Sequence, residues 1–340
     1  MTTEKLPITA ENYEKSISRA AQILRDGGIV AIPTETVYGL AASAYDENAI
    51  SKVFSAKGRP QDNPLIVHIS SMDMLEEIAC NIPQKAYECA QKFWPGPFTM
   101  VLPRTEKTAK SVSAGLDTVA VRMPNHKVAL DIIEKSGLPL AAPSANTSGS
   151  PSPTTAQHVQ KDLDTKIDAI VFADECSVGV ESTVISFCCN PPRLLRPGGV
   201  TAEQLKELIP DIQIDKAVLA EPENNAKVSS PGMKYKHYSP KTDAFLVEGE
   251  NEAFISFVNA KEKSAAICFE EESDYITIQK LSYGFCENEE TLAKNVFSVL
   301  REIDQFGVEK VYIHAPSKKG VGLAVYNRLL RAAGFKVIKL

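Results

Sequence analysis

The chain has 340 residues, of which 44% are apolar and 24% are charged, which is the balance of a soluble globular protein with two domains. Its formal net charge of −6 is shared by both parts, because residues 1–240 carry −4 and residues 241–340 carry −2. This excludes the global positive field of a nonspecific nucleic-acid binder, so any nucleic acid would have to meet a local patch.

The cysteines and the N-terminus indicate the compartment. Seven cysteines are present without CxxC spacing, so neither a structural zinc site nor a disulfide framework is expected. The opening Met-Thr-Thr-Glu-Lys-Leu-Pro lacks the regions of a signal peptide, and no apolar run reaches the length of a membrane span. These features predict a cytoplasmic protein that does not enter a membrane.

Helices and strands are mixed through the first 210 residues. A helix over 13–24 ends at Gly27-Gly28, and a buried strand at 29–32 continues into a polar loop. Further strands are predicted at 65–69, 98–102, 119–123, 138–142, 169–173 and 182–187. Further helices are predicted around 50–57, 72–79, 84–93, 127–136 and 201–209, the last with a capping box at Thr201 and Gln204. This mixture predicts an α/β or α+β domain.

Residues 211–242 change character and form the predicted linker. They contain the segment SPGMKYKHYSP. Its tyrosines could stack on a base and its lysines could meet phosphates, as in a lid that covers a site. The same composition is equally compatible with a tether whose aromatic side chains pack on the domain surface.

Residues 243–340 are compact and regular. Strands are predicted at 244–247, 265–269, 276–281, 311–314 and 337–340, with helices at 251–261, 290–306 and 321–333. This order favours a small, open, Rossmann-like α/β domain with parallel strands. The domain has no GxGxxG motif and no catalytic dyad, so its function is not visible in the sequence.

Several common catalytic motifs are absent from the first domain, which limits the reactions that it can catalyse. There is no GxxxxGK[ST] loop and no GxSxG elbow, and no cysteine has the flanking sequence of a nucleophile. What remains is a set of anion-holding side chains, namely Lys57, Arg59, Arg122, Ser144, Asn146, Ser182 and Arg196. Such a set suits phosphoryl or nucleotidyl transfer, in which two substrates are positioned to react with each other.

Six short motifs give this set a family resemblance. In chain order they are PTETVYGL, KGRPQDNPLIVHI, VAVRMP, AAPSANTSG, ESTVI and LLRPG. Together they resemble the YrdC-type L-threonylcarbamoyladenylate synthases over about residues 12–210, and the rest of the chain is similar to the long, two-domain form of that family. The resemblance implies a catalytic domain at 1–210 with a twisted mixed sheet and a concave basic pocket, a linker at 211–242 that folds over the active site, and a C-terminal α/β domain at 243–340.

The resemblance also implies a reaction. L-Threonine, bicarbonate or CO₂, and ATP would give L-threonylcarbamoyladenylate, pyrophosphate and water. ATP is a substrate, and Mg²⁺ would be held mainly by its triphosphate, with no metal ligands from the protein. The product would pass to the tRNA threonylcarbamoyl transferase machinery, which modifies the adenosine beside the anticodon. Weak direct binding of tRNA is left open.

The resemblance assigns roles to residues of three kinds. The charge at the reacting phosphorus would be neutralised by Lys57, Arg59, Ser144 and Asn146. ATP would be held by Arg59, Asn63, Thr118, Ser144, Ser152 and Arg196, with Tyr235 of the linker closing over it. L-Threonine would be held by Thr36, His68, Arg122, Ser182 and the backbone of Ala142. His68 lies within an apolar strand, so a core histidine is the competing interpretation.

Two other functions remain open. A carbamoyl-adenylate former of the hydrogenase-maturation type shares this domain but starts from carbamoyl phosphate, and its companion acylphosphatase and zinc-finger modules are absent from the sequence. An RNA-binding module without catalysis would use the same basic hollow. The general base, the oligomeric state and the preference for threonine over serine are not predicted.

Overall fold

The computed structural model describes residues 2–221 and 238–340, which form two packed α/β units. Half of the predicted linker, including Tyr235, lies outside these residues, and the prediction of a lid over the active site therefore stays a prediction.

Within residues 2–221, eleven strands form one mixed sheet. The strands are β1 (Glu4–Pro7), β2 (Val30–Ile32), β3 (Gly39–Ser43), β4 (Ile66–His68), β5 (Phe98–Pro103), β6 (Thr118–Arg122), β7 (Leu140–Ala141), β8 (Ala169–Phe172), β9 (Thr183–Ser186), β10 (Arg193–Arg196) and β11 (Gln213–Ile214). Their order across the sheet is β1-β8-β2-β3-β7-β4-β6-β5-β9-β10-β11. Parallel and antiparallel neighbours alternate irregularly, which confirms the predicted mixed sheet.

Helices cover the faces of this sheet. They are α1 (Tyr13–Arg25), α2 (Glu47–Lys57), α3 (Met72–Ile78), α4 (Gln84–Phe93), α5 (Lys127–Ser136), α6 (Ala156–Leu163) and α7 (Ala202–Leu208), with short 3₁₀ turns at Lys110–Ser113 and Lys216–Val218. The capping box of α7 is confirmed, since the Thr201 hydroxyl accepts from the Gln204 amide at 3.2 Å and the Gln204 side chain accepts from the Thr201 amide at 2.9 Å.

Residues 238–340 form the second unit. Its strands are β12 (Asp243–Glu248), β13 (Ser264–Cys268), β14 (Gln279–Ser282), β15 (Lys310–His314) and β16 (Val337–Lys339), and its helices are α8 (Asn251–Asn259), α9 (Glu289–Glu302) and α10 (Gly322–Ala332). Further 3₁₀ turns lie at Glu270–Tyr275 and Ile303–Gln305. The strand order is β14-β13-β15-β12-β16 with parallel pairing throughout these residues, which confirms the predicted open parallel sheet.

Some elements differ from the sequence predictions. The strand predicted at 276–281 begins only at Gln279, because a 3₁₀ turn occupies Glu270–Tyr275 and delays it. Strands β1, β3 and β10 and helix α6 were not predicted. Strand β11 lies inside the predicted linker, so the first sheet extends beyond residue 210.

Helix α2 carries two predicted site residues to a fixed place. It begins at Asp46, whose carboxylate accepts from the amide of Asn48 at 2.8 Å, and it ends at Gly58 with a left-handed φ of 61°. The Arg59 amide then donates to the carbonyl of Phe54 at 3.0 Å, which closes the turn. Lys57 is therefore the last helical residue, and Arg59 leaves the helix in a defined direction.

The two units are joined by buried contacts. Val37 and Val180 of the first unit belong to an apolar cluster of the second. Three ion pairs between described residues cross the same boundary, Arg301 with Asp162 at 2.8 Å, Arg328 with Glu181 at 2.7 Å and Lys294 with Glu175 at 3.9 Å. Among the described residues, none of the helices combines the length and the apolar character that crossing a bilayer requires.

Candidate active site

A pocket of about 750 Å³, including its open mouth, lies where the sequence motifs converge. Its lining contains ten of the fourteen predicted site residues, namely Thr36, Lys57, Arg59, His68, Arg122, Ala142, Ser144, Asn146, Ser182 and Arg196. These residues come from strands β4, β6 and β10, from the end of helix α2 and from loops such as the one after β7, so the fold gathers positions up to 160 residues apart.

The other four predicted site residues lie around or outside this lining. Ser152 lies just behind the lining. Its hydroxyl donates at 2.5 Å to Glu181, which lines the pocket. Asn63 is 1% exposed, and neither atom of its side-chain amide has a hydrogen-bond partner among the described residues. Thr118 is the first residue of β6, where it pairs with Pro103 of β5. Tyr235 falls outside the described part of the chain.

Lys57 holds the loop that follows β7. Its ammonium donates to the carbonyl of Ser144 and, at 2.7 Å, to the carbonyl of Asn146, while the Ser148 amide returns a bond to the Lys57 carbonyl at 2.8 Å. Burial, and then the charge of Arg59, lowers the pKa of Lys57 well below its ordinary value. Lys57 thus fixes the loop that carries Ser144 and Asn146 and keeps its charge behind that loop.

Asn146 shapes the same loop from inside. Its amide nitrogen donates to the carbonyls of Thr147 and Ser150, both at 2.9 Å, and its oxygen accepts from the Ser144 hydroxyl at 2.5 Å. The amide hydrogens are therefore used within the loop, and the Ser144 hydroxyl retains lone pairs that can accept from a ligand.

Arg122 is held from behind by a carboxylate that sequence reasoning did not single out. Its Nη2 lies 2.7 Å from Glu35 Oε2, and both side chains are almost wholly buried. Its Nη1 donates to Thr36 Oγ1 at 2.8 Å and its Nε to the Gly96 carbonyl at 3.2 Å. A guanidinium has five N–H groups, so at least two remain for a ligand in the pocket.

Ser182 and Arg196, which both line the pocket, are bound to each other. Arg196 donates through Nε to the Ser182 carbonyl at 3.0 Å and through Nη2 to the Ser182 hydroxyl at 3.2 Å. The same hydroxyl lies 2.7 Å from Thr99 Oγ1. Burial, and then the nearby Arg328, lowers the pKa of Arg196 to about 10, at which it stays charged at neutral pH.

The pocket favours anions. Among the described residues its lining contains the cations Lys57, Arg59, Arg122 and Arg196 and one carboxylate, Glu181. His68 adds no charge at neutral pH, since burial and then Arg122 lower its pKa to about 3. A concave surface of this charge raises the local concentration of phosphates and carboxylates.

Comparison with known proteins identifies the family. A family model for Sua5, YciO and YrdC proteins, described as "Telomere recombination", matches residues 22–198, and one for the threonylcarbamoyl-AMP synthase C-terminal domain matches residues 200–334. Threonylcarbamoyl-AMP synthase from Pyrococcus abyssi is 46% identical and that from Bacillus subtilis 43% identical, with 96% of this chain and at least 95% of each relative covered. The crystal structure of P. abyssi Sua5 complexed with L-threonine matches with a TM-score of 0.91 at 42% identity over 100% of both chains.

The chain belongs to the Sua5/YrdC family. The predictions of this family, of its two-unit α/β fold and of an enzyme are confirmed. Which residues bind each substrate is not tested by these comparisons, so those assignments stay predictions for this member of the Sua5/YrdC family.

Three charged residues of this family member escaped the sequence analysis. Glu35, within PTETVYGL, supports Arg122, while Glu181, within ESTVI, pairs with Arg328 on α10. Both carboxylates lie inside the quoted motifs, and that position could have identified them as candidate site residues. Arg328 lies 147 residues from Glu181 in a helix that otherwise shows an ordinary apolar pattern, so its partner could not be predicted from spacing.

Removal of Glu35 tests the support of Arg122. Glu35→Ala leaves a buried guanidinium without its counter-charge, so we expect the free energy of unfolding to fall by about 3–5 kcal/mol. Glu175→Ala is the matched control, because Glu175 is half-exposed and lies 3.9 Å from Lys294, and we expect a loss below about 1 kcal/mol. Chemical denaturation of both variants measures the difference, and equal losses would contradict the role of Glu35.

The low pKa of His68 predicts a pH dependence of stability. The unfolded chain takes up this proton near the ordinary pKa of 6.5, whereas the folded chain does so only near 3. Stability is therefore lost as the pH falls below 6.5, and His68→Gln removes this contribution. Between about pH 6 and pH 5, we expect wild-type unfolding free energy to fall by about 1 kcal/mol more than that of the variant. Identical pH profiles would show that His68 is protonated as readily folded as unfolded.

Proposed function

We propose that this chain makes L-threonylcarbamoyladenylate from L-threonine, bicarbonate or CO₂, and ATP, and releases pyrophosphate. The single observation that carries the proposal is the pocket that brings four cations together with Ser144, Asn146 and Ser182 in a member of the Sua5/YrdC family. Such a pocket suits two substrates that react directly with each other, because binding aligns them and fixed charges stabilise the transition state.

L-Threonine binds at the Arg122 end in this proposal. The N–H groups that Arg122 has left can hold its carboxylate through two parallel hydrogen bonds. Thr36 and His68 flank this position, and neutral His68 can accept or donate one hydrogen bond without adding charge. L-Threonine is named in the complex of the related P. abyssi protein, which supports the choice of amino acid.

The chemistry joins the two substrates at the α-phosphorus of ATP. The threonine amine and bicarbonate first give a carbamate and water. A carbamate oxygen then forms a bond to the α-phosphorus while the bond to the bridging oxygen of pyrophosphate breaks. Negative charge gathers on the phosphoryl oxygens, where Arg59 and Arg196 would stabilise it, and Lys57 would act by fixing the loop of Ser144.

ATP enters this scheme as its Mg²⁺ complex. No group of three or more His, Cys, Asp or Glu side chains in the described ranges, 2–221 and 238–340, is arranged to hold a metal ion. The carboxylate in the pocket lining, Glu181, is engaged by Ser152 and Arg328. We therefore propose that the ion is bound mainly by the triphosphate, and no step is assigned to it.

The biological setting extends the proposal. The product would supply the threonylcarbamoyl group for the adenosine beside the anticodon of tRNA, in agreement with the names of the related synthases. A cytoplasmic location remains a prediction from the sequence, as does direct contact with tRNA.

Pyrophosphate release by the purified full-length chain tests the reaction. In the absence of RNA, we expect release that requires ATP, L-threonine and bicarbonate together, with a product whose mass is that of threonylcarbamoyladenylate. Release driven by carbamoyl phosphate without threonine would favour the hydrogenase-maturation type of reaction. Salt-sensitive RNA binding without any turnover would favour the binding module.

Arg59 provides the sharpest variant for this reaction. Arg59→Met removes a charge-assisted contact with the phosphates, so we expect kcat/KM to fall about 10- to 150-fold, which corresponds to roughly 1.5–3 kcal/mol. Arg19→Met is the control, because it removes the same charge from an exposed ion pair with Glu4 and should leave kcat/KM unchanged. Equal activity of the two variants would remove Arg59 from the proposed site.

A further inference from the structure

Arg328 reaches from the second unit to Glu181, which lines the pocket. It lies on α10 and is 0% exposed, although it is one of the largest side chains of the chain. Its Nε donates to Glu181 Oε2 at 2.7 Å and its Nη2 to the Glu181 carbonyl at 3.2 Å. Its Nη1 donates to the Pro197 carbonyl at 3.0 Å. All three nitrogens of this guanidinium thus contact the first unit.

Glu181 connects this arginine to the predicted ligand contacts. Its second oxygen, Oε1, accepts from the Ser152 hydroxyl at 2.5 Å. The next residue, Ser182, accepts both hydrogen bonds of Arg196, and Pro197 directly follows that arginine. Arg328 therefore adjoins two predicted ATP contacts, because it binds Glu181, which holds Ser152, and Pro197, which follows Arg196.

The backbone around Gly198 leaves these segments little freedom to adjust. A Cβ at Gly198 would lie 2.2 Å from the amide nitrogen of Thr183 and 2.6 Å from the carbonyl oxygen of Glu181. The 181–183 and 197–198 segments are thus in direct contact. A displacement of either one at Arg328 would be passed to the other, because two packed backbones cannot move independently.

Arg328 also affects the pocket through its charge, which acts on Glu181. Burial raises the pKa of Glu181, but Arg328 and then Arg196 outweigh burial and hold that pKa below its ordinary value. Glu181 is therefore an anion that lines a pocket meant for phosphates. Without Arg328, its charge would be turned toward the triphosphate and would draw Arg196 away from it.

Arg328 also lies against the end of the linker. Its guanidinium carbon is 5.8 Å from the ring centroid of Tyr238, which lines the pocket and packs on Phe297 of α9 at 5.1 Å between ring centroids. The second unit therefore meets the pocket at two adjoining points, through Arg328 and through Tyr238.

We propose that Arg328 is a positioning residue for ATP, and that the second unit completes the nucleotide half of the pocket through it. Arg328 acts through Glu181, Ser152 and the Arg196–Pro197 segment. The inference rests on the proposed function, since it depends on Ser152 and Arg196 being contacts of ATP. It gives the second unit a part in the reaction that its own sheet does not reveal.

Steady-state kinetics of the full-length chain test the proposal. Pyrophosphate release is measured at varied ATP and, separately, at varied L-threonine. For Arg328→Met we expect the KM for ATP to rise about tenfold or more, while the KM for L-threonine changes less than about threefold. Arg328→Lys keeps the charge but cannot make the forked contacts to Glu181 and Pro197, so we expect it to recover part of the lost affinity for ATP.

Two further variants separate positioning from domain attachment. Lys294→Met removes the same charge from another ion pair between the units, with Glu175 at 3.9 Å and half-exposed, and we expect both KM values to stay at the wild-type level. Glu181→Gln keeps the shape of Glu181 but not its charge. We expect it to raise the KM for ATP as well, and the double variant with Arg328→Met to be no worse than the more impaired single variant.

The outcomes distinguish this inference from the function on which it rests. Wild-type protein without threonine-dependent pyrophosphate release overturns the proposed function. Active wild type, with Arg328→Met folded by thermal unfolding and its KM for ATP within about twofold of wild type, overturns only the role of Arg328. Parallel rises in both KM values also overturn it, because a purely structural contact would affect both substrates alike. If Arg328→Met does not fold, the same criteria apply to Arg328→Lys and Glu181→Gln.

Discussion

The pocket depends on keeping several buried cations together without their mutual repulsion opening the fold. Each buried ion loses several kcal/mol of hydration, so an unpaired cluster of this kind would unfold a domain of ordinary stability. The chain offsets this loss with nearby carboxylates. Glu35 pairs with Arg122, and Glu181 pairs with Arg328. The remaining N–H groups of the cations can therefore bind a ligand while part of the charge is already balanced.

The buried ammonium of Lys57 is stabilised by backbone carbonyls. It is bound by the carbonyls of Ser144 and Asn146, and the side chain is almost wholly buried. The loop after β7 is consequently tied to the end of α2, and Arg59 follows Lys57 by two residues. One buried side chain thus sets the distance between the two motifs that the reaction would need side by side.

The sequence predicted the site better than it predicted the supports of the site. Ten predicted residues line one pocket. Seven of them stood out as anion-holding side chains, and the family resemblance supplied Thr36, His68 and Ala142. Strand β3 was missed because its residues, Gly-Leu-Ala-Ala-Ser, lack the β-branched character of a strand, and it is stabilised by its neighbours β2 and β7. Arg328 was missed because contacts between distant segments leave no periodic trace.

The second unit illustrates why fold alone does not identify a function. In open parallel α/β sheets the carboxyl ends of the strands usually border a ligand crevice. Here His314, at the carboxyl end of β15, bonds to Glu272 at 2.6 Å and to the Gly249 carbonyl at 2.9 Å, and its ring stacks on Phe254 at 4.3 Å between centroids.

The first amide of α10 also has a partner within the unit, since Gly322 donates to Glu289 at 2.8 Å. Side chains of the unit itself therefore occupy part of the edge at which ligands usually bind in open parallel sheets. The same helix carries Arg328 in its second half, and this side chain binds Glu181 of the first unit. The contribution of the second unit is thus found at its interface with the first.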